Sequence, residues 1–122
     1  MADEIDVTID EDLVEVHATG KLTRQMYEDH MPRLNEVIDK YGSLRILFFM
    51  KDFQGWSADG LWEDIKFESK HGGDISRLAI VGELRWHAGM AEVCNMFTSA
   101  TVKYFDPGDL EVAREWIAAD PK

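Results

Sequence analysis

The residues that could do chemistry are few and scattered. Glu63 and Asp64 form an adjacent carboxylate pair, the residue type that general acid–base catalysis uses. Consecutive helical residues do not face each other, however, and among 24 acidic residues such pairs arise without function. His17, His30, His71 and His87 fall in separate elements, without metal-ligand spacing, and read as surface histidines. Cys94 lies about a turn from Met90 and reads as a small buried thiol, with no neighbour that would activate it as a nucleophile. His71-Gly72-Gly73-Asp74 lacks the spacing of a phosphate-cradling loop, and no G-x-S-x-G elbow occurs. The expectation is a protein that is not an enzyme, with no catalytic residue, no metal and no cofactor.

What remains is aromatic. The stretch "MKDFQGWSADGLWEDIKF", residues 50 to 67, starts as a buried strand, passes through a Gly and Trp loop and resumes as a helix. On a helical wheel Leu61, Trp62, Ile65 and Ser69 cluster, while Phe67 points nearly the opposite way. Together with Trp56 nearby, that ring makes a patch that could meet a partner, a second subunit or a membrane surface. Trp86, Met90, Val93 and Phe97 mark one face of a further helix. Met26, Met31, Met50 and Met90 add the adaptable side chains that suit an apolar pocket and also fill ordinary gaps.

These residues need elements to position them. Ile5, Val7 and Ile9 alternate with polar residues, and Val14, Val16 and Ala18 do so after Asp10-Glu11-Asp12, predicting a hairpin with one buried face that Gly20 ends. Thr23 can cap a helix with apolar positions Tyr27, Met31, Leu34, Ile38 and Tyr41. Pro32 predicts a kink in it or a split into two short helices, and Gly42 closes it. Leu44 to Met50 is nearly all apolar, as a strand covered on both faces would be. A helix from about Asp59 to Lys70, a short strand from Leu78 to Val81, the helix carrying Trp86 and an edge strand from Thr101 to Phe105 follow. Asp106-Pro107 starts a last helix. The order β-β-α-β-α-β-α-β-α predicts a single α/β domain spanning residues 1–122, with a mixed sheet of about five strands and about four helices.

Composition narrows the partners. The chain is 45% hydrophobic with a net charge of −11, so it can bury a core, and its surface repels nucleic acid. Seven acids and no base occupy the first fifteen residues. Attachment to anionic lipid by charge alone is disfavoured, which leaves apolar insertion. An acidic start in place of a basic leader, no membrane-spanning run and a single cysteine predict a cytoplasmic protein.

The stretches "GKLTRQMYEDHMPRL", "ILFFMKDFQGWSADGLWEDIKF", "RLAIVGELRW" and "MFTSATVKYFD", taken with the order of elements, resemble the SpoIIAA-like proteins of the STAS superfamily over nearly the whole domain. The resemblance implies a STAS-type fold, related in shape to Sec14-type lipid-carrying domains. In the anti-sigma-factor antagonists of that superfamily a D-S-S-G-L motif follows a central strand, and its first serine is phosphorylated. Here Ser57-Ala58-Asp59-Gly60-Leu61 places Ala58 at that serine, so the usual switch cannot operate there. Phosphate on Ser57 would add charge beside Asp59. The resemblance implies instead a non-enzymatic binding module. Its expected ligand is an apolar or amphipathic small molecule such as a lipid, held by Phe53, Trp56, Ser57, Trp62, Phe67, Trp86 and Met90, with peripheral membrane contact. A protein-interaction regulator acting through Gly55 to Leu61 and an enzyme of unknown reaction are the alternatives. A homodimer would cover an apolar helix face left over by the fold.

Overall fold

The computed structural model describes residues 4–57, 74–83 and 101–119. Alternation in the first segment produces the expected hairpin. Strand β1 (Glu4–Asp10) pairs antiparallel with β2 (Leu13–Leu22), and Val7 lies opposite Val16. The two-residue turn places Glu11 at φ 55°, in the left-handed region that tight hairpin turns require. Its core-facing residues differ in depth. Val14, Val16 and Ala18 of β2 are buried, whereas Ile5, Val7 and Ile9 on the outer strand are only partly covered.

Three parallel pairings extend the sheet through β3 (Leu44–Trp56), β4 (Ile75–Val81) and β5 (Thr101–Phe105), in the spatial order 1-2-3-4-5. The five-stranded mixed sheet of an α/β fold therefore stands. Sandwiched between β2 and β4, β3 carries apolar side chains on both faces, which explains the continuous run that begins at Leu44.

Helix α1 (Arg24–Tyr41) starts at Thr23, whose hydroxyl accepts from the Met26 amide at 3.4 Å. It ends at Gly42, with φ 82°, where the amide of Gly42 donates to the Ile38 carbonyl at 2.7 Å. The split into two short helices at Pro32 does not occur: α1 is one helix of 18 residues. Pro32 and Glu28 lie on its exposed side, where water can serve the carbonyl that proline leaves without a donor. Burial of Leu34 and Val37 on the other side anchors the turns after Pro32 to the sheet. After β5 a single 3₁₀ turn (Pro107–Asp109) leads into α2 (Leu110–Ala118). The helices expected from about Asp59 to Lys70 and around Trp86 to Phe97 lie outside the described residues.

Two further expectations are corrected. Gly20 does not end β2, and the strand at Leu44 does not give way to a loop after Met50. Both strands run on as partners to Leu22 and Trp56. They do so through two irregularities: Ala18 pairs Met50, Gly20 pairs Phe53, and Lys21 pairs Gly55, so β3 carries one extra residue in each interval. Asp52 at φ 53° and Gly55 at φ 98° take the backbone turns that such bulges need. The first extra residue reverses the alternation of faces. Phe53 consequently joins Met50 on the α1 side instead of facing away from it.

The sheet separates two cores. Between it and α1 lie Val14, Leu44, Ile46, Met50, Phe53 and Ile80, with their neighbours. Between it and α2 lie Leu47, Ala79, Val81, Phe105, Ala113 and Ile117. Charged groups fasten α2 to the second face. Arg45 binds both carboxylate oxygens of Asp12, at 2.8 and 3.2 Å, and donates to the carbonyls of Ile117 and Ala118 at 3.0 and 3.1 Å. Arg77 donates to the Trp116 carbonyl at 2.8 Å and lies over the Trp116 ring. Two guanidinium groups thus satisfy the carbonyls that end a helix.

Candidate functional site

The depth difference across the hairpin creates the site. Since α1 buries β2 more completely than β1, an apolar pocket of about 100 Å³ remains between them. Ile5, Val7, Val16 and Leu22 form its hairpin wall. Met26, Tyr27, Met31 and Leu34 face them from α1, a stripe at three- and four-residue spacing. Ile46 and Phe48 of β3 form the floor. Phe48 is itself fixed by an edge-to-face contact with Phe53, centroids 5.9 Å apart.

His30 and Tyr27 bring the polar groups of the lining, and His30 Nδ1 is buried with no hydrogen-bond partner among the described residues. A second, open groove of about 650 Å³ adjoins the pocket and shares Ile5, Met26 and His30 with it. Its other walls are polar: Glu4, Asp6, His17, Thr19 and Asp29. The pair forms a continuous surface, apolar within and acidic outside.

On the α2 face, Glu15 joins β2 to α2. Arg114 donates to its two oxygens at 3.0 and 2.9 Å, and His17 Nε2 lies 2.7 Å from one of them. Hydrogen bonding by Arg114 holds the Glu15 carboxyl below the usual carboxylate range, against the opposing effect of burial, and His17 adds to the lowering. Glu111 also binds Arg114, and together the two acids hold the guanidinium in its charged form. A histidine beside a carboxylate is half of a nucleophile-activating arrangement. Here the other half is missing among the described residues: the His17 ring meets Phe49 edge-on at 5.0 Å, and no hydroxyl or thiol is hydrogen-bonded to it. No group of three or more metal-ligating side chains occurs among the described residues.

Of the residues singled out in the sequence, neither Phe53 nor Ser57 lines this pocket. Phe53 is 1% exposed and belongs to the core beneath it, not to a loop. Trp56 ends β3 opposite Leu22, again in strand where loop was expected. Ser57 follows, its amide and hydroxyl both donating to the Leu22 carbonyl at 2.9 and 3.3 Å. Since Leu22 lines the pocket, this bond ties the start of the 57–61 segment to the pocket wall. Trp62, Phe67, Trp86 and Met90 lie outside the described residues. Sequence reasoning passed over Tyr27 and His30 as ligand contacts. The available signal was a histidine at position 30 inside the stripe 27, 31, 34, where an apolar residue would serve the core equally well.

The family model described as SpoIIAA-like matches residues 13–118. Among solved structures, the chain is similar to the crystal structure of an uncharacterized protein of the DUF3478 family with a SpoIIAA-like fold from Shewanella loihica PV-4. Identity is 28% and the TM-score 0.76, with 95% of this chain and 94% of that one covered. No curated protein matches. With its sheet order, its two cores and a family match over most of its length, the chain belongs to the SpoIIAA-like family and is a STAS-domain module.

Proposed function

We propose that this module is a non-enzymatic binding protein for an apolar or amphipathic small molecule, received between α1 and the hairpin, and that it works in the cytoplasm with peripheral membrane contact. The observation that carries the reading is the apolar pocket of about 100 Å³, walled by methionine and aliphatic side chains on one flank of a rigid sheet. Such a lining gains free energy by excluding water and adapts its shape to its occupant. Within that lining Tyr27 and His30 supply the polar groups that orient an occupant. Among the described residues no helix is long and apolar enough to cross a membrane. Membrane contact would therefore be peripheral, through delivery or uptake of the occupant.

Native mass spectrometry of protein purified without organic solvent, together with flotation on neutral-lipid vesicles, tests the proposal. A co-purified apolar mass that leaves on adding vesicles is the expected result. A homogeneous bare mass with no vesicle association would remove the support. A protein-interaction role through residues 55–61 is the second reading. What favours it is the pair of bonds from Ser57 to Leu22, which hold the start of that segment in one place.

A further inference from the structure

Among the described residues the sheet ends at β1 in an open edge. β1 pairs with β2 alone, in a register that runs without interruption from Glu4 opposite Thr19 to Asp10 opposite Leu13. A two-residue turn joins the strands, so Asp10 and Leu13 exchange both backbone hydrogen bonds, and bonded pairs alternate from there. The amides and carbonyls of Asp6, Thr8 and Asp10 consequently point at β2, while those of Ile5, Val7 and Ile9 point outward. No described backbone group outside the hairpin bonds them. Natural edges are blunted by shortness, proline, bulges or lysine. β1 has seven residues and none of these devices, whereas β5, the other edge, has five residues and carries Lys103.

The two faces of β1 specify what fits there. Ile5, Val7 and Ile9 lie on the α1 side and are only partly covered. The apolar pocket opens beside Ile5 and Val7, and a second hollow of about 240 Å³ opens beside Ile9, bounded by Glu11, Glu36, Val37, Lys40 and Tyr41. A strand added alongside sets alternate side chains, about 7 Å apart, over these openings. Glu4, Asp6 and Asp10 lie on the opposite face and are exposed. A second copy of β1 is therefore a poor occupant. Paired antiparallel about Val7, it would set Glu4 of each chain against Asp10 of the other, and directly opposed like charges are destabilising. Lysine or arginine at those positions reverses the sign, and the chain's net charge of −11 steers a basic partner toward the edge.

We infer that the β1 edge docks an extended segment of another protein in which basic residues alternate with apolar ones. The segment becomes an added strand. Its backbone bonds to Ile5, Val7 and Ile9, its apolar side chains cover the openings on the α1 side, and its bases face Glu4, Asp6 and Asp10. The inference goes beyond the small-molecule reading and does not depend on what occupies the pocket.

The probe is the end-blocked peptide Lys-Ile-Lys-Val-Lys-Ile-Lys, which reads alike in either direction, with NMR hydrogen exchange of β1 as the readout. In the free protein the amides of Ile5, Val7 and Ile9 should exchange faster than those of Thr8 and Asp10, which bond to β2. Saturating peptide should slow the first set about tenfold or more. The same peptide with glutamate in place of lysine should bind about tenfold weaker or worse, since each opposed charge pair contributes up to about fivefold. N-methylation of the peptide's isoleucines and valine keeps its charge but blocks its backbone, and should abolish binding. The Glu4→Lys, Asp6→Lys, Asp10→Lys triple variant should prefer the glutamate peptide, while slow exchange at Thr8 reports an intact hairpin. Unslowed amides, equal binding of the two peptides, or undiminished binding after N-methylation overturns the inference. So does a free protein that is dimeric with Ile5, Val7 and Ile9 already protected, because its own second copy would then hold the edge.

Discussion

Truncating Phe53 to alanine tests whether the bulge in β3 has made this ring part of the core. The side chain is 1% exposed, meets Phe48 edge-to-face and sits among the buried residues under α1. Removing a fully buried phenylalanine costs about 3–5 kcal/mol, through lost transfer free energy and the cavity left behind. For 122 residues at about 2.1 cal/mol/K of unfolding entropy each, that corresponds to a fall in Tm of about 12–20 °C. It is also a large share of the roughly 6–18 kcal/mol that a domain of this size possesses. Urea unfolding followed by fluorescence should show a lower midpoint with an unchanged slope. The neighbouring Gln54→Ala change, at an exposed position, should stay within about 0.5 kcal/mol of the parent. A loss below about 1 kcal/mol for Phe53→Ala would mean that the ring is not locked in place, and the argument that the extra residue re-aims it would fall.

Substitutions at two further positions probe the charged belt under α2. The folded Glu15 carboxyl titrates below its ordinary value of 4.5, so its stabilising contribution is fully present above about pH 4.5 and is lost as pH falls through the folded value. Glu15→Gln should lower stability by about 1 kcal/mol at neutral pH and flatten the acid limb, so that urea midpoints of the two proteins converge at low pH. Arg45→Met should cost roughly 2–4 kcal/mol, because Asp12 loses both charge-assisted bonds and the end of α2 loses its donor. Arg45→Lys should recover only part of this, since one ammonium cannot span both partners. Amide exchange in the last turn of α2 should accelerate more than exchange in β3 in either variant.

Much of this architecture was readable from local chemistry. Alternation in residues 5–18 reports a half-buried hairpin, Thr23 and Gly42 mark the ends of α1, and the apolar run from Leu44 reports a strand covered twice. Each signal is local, so tertiary context had little to override. The errors have the opposite character. Lys51 to Trp56 reads as a loop because Asp52 and Gly55 are loop residues by type, yet here they serve two bulges that exist only because β2 lies alongside. Pro32 reads as a break because its local cost is plain, while the burial of Leu34 and Val37 that outweighs it is a property of the packed sheet. The pocket was less legible still. Ile5, Val7 and Tyr27 look like any core residues, and only the unequal reach of α1 over the two hairpin strands leaves space between them.

The Arg45 bonds to the end of α2 join residues more than 70 positions apart. Loop closure on that scale must precede any reward from the contact, which places the docking of α2 late in folding. During synthesis, the surface of Leu47, Ala79, Val81 and Phe105 that α2 covers consequently stays open until α2 has been made. Apolar surface open in that interval favours self-association, against which chaperones protect a nascent chain.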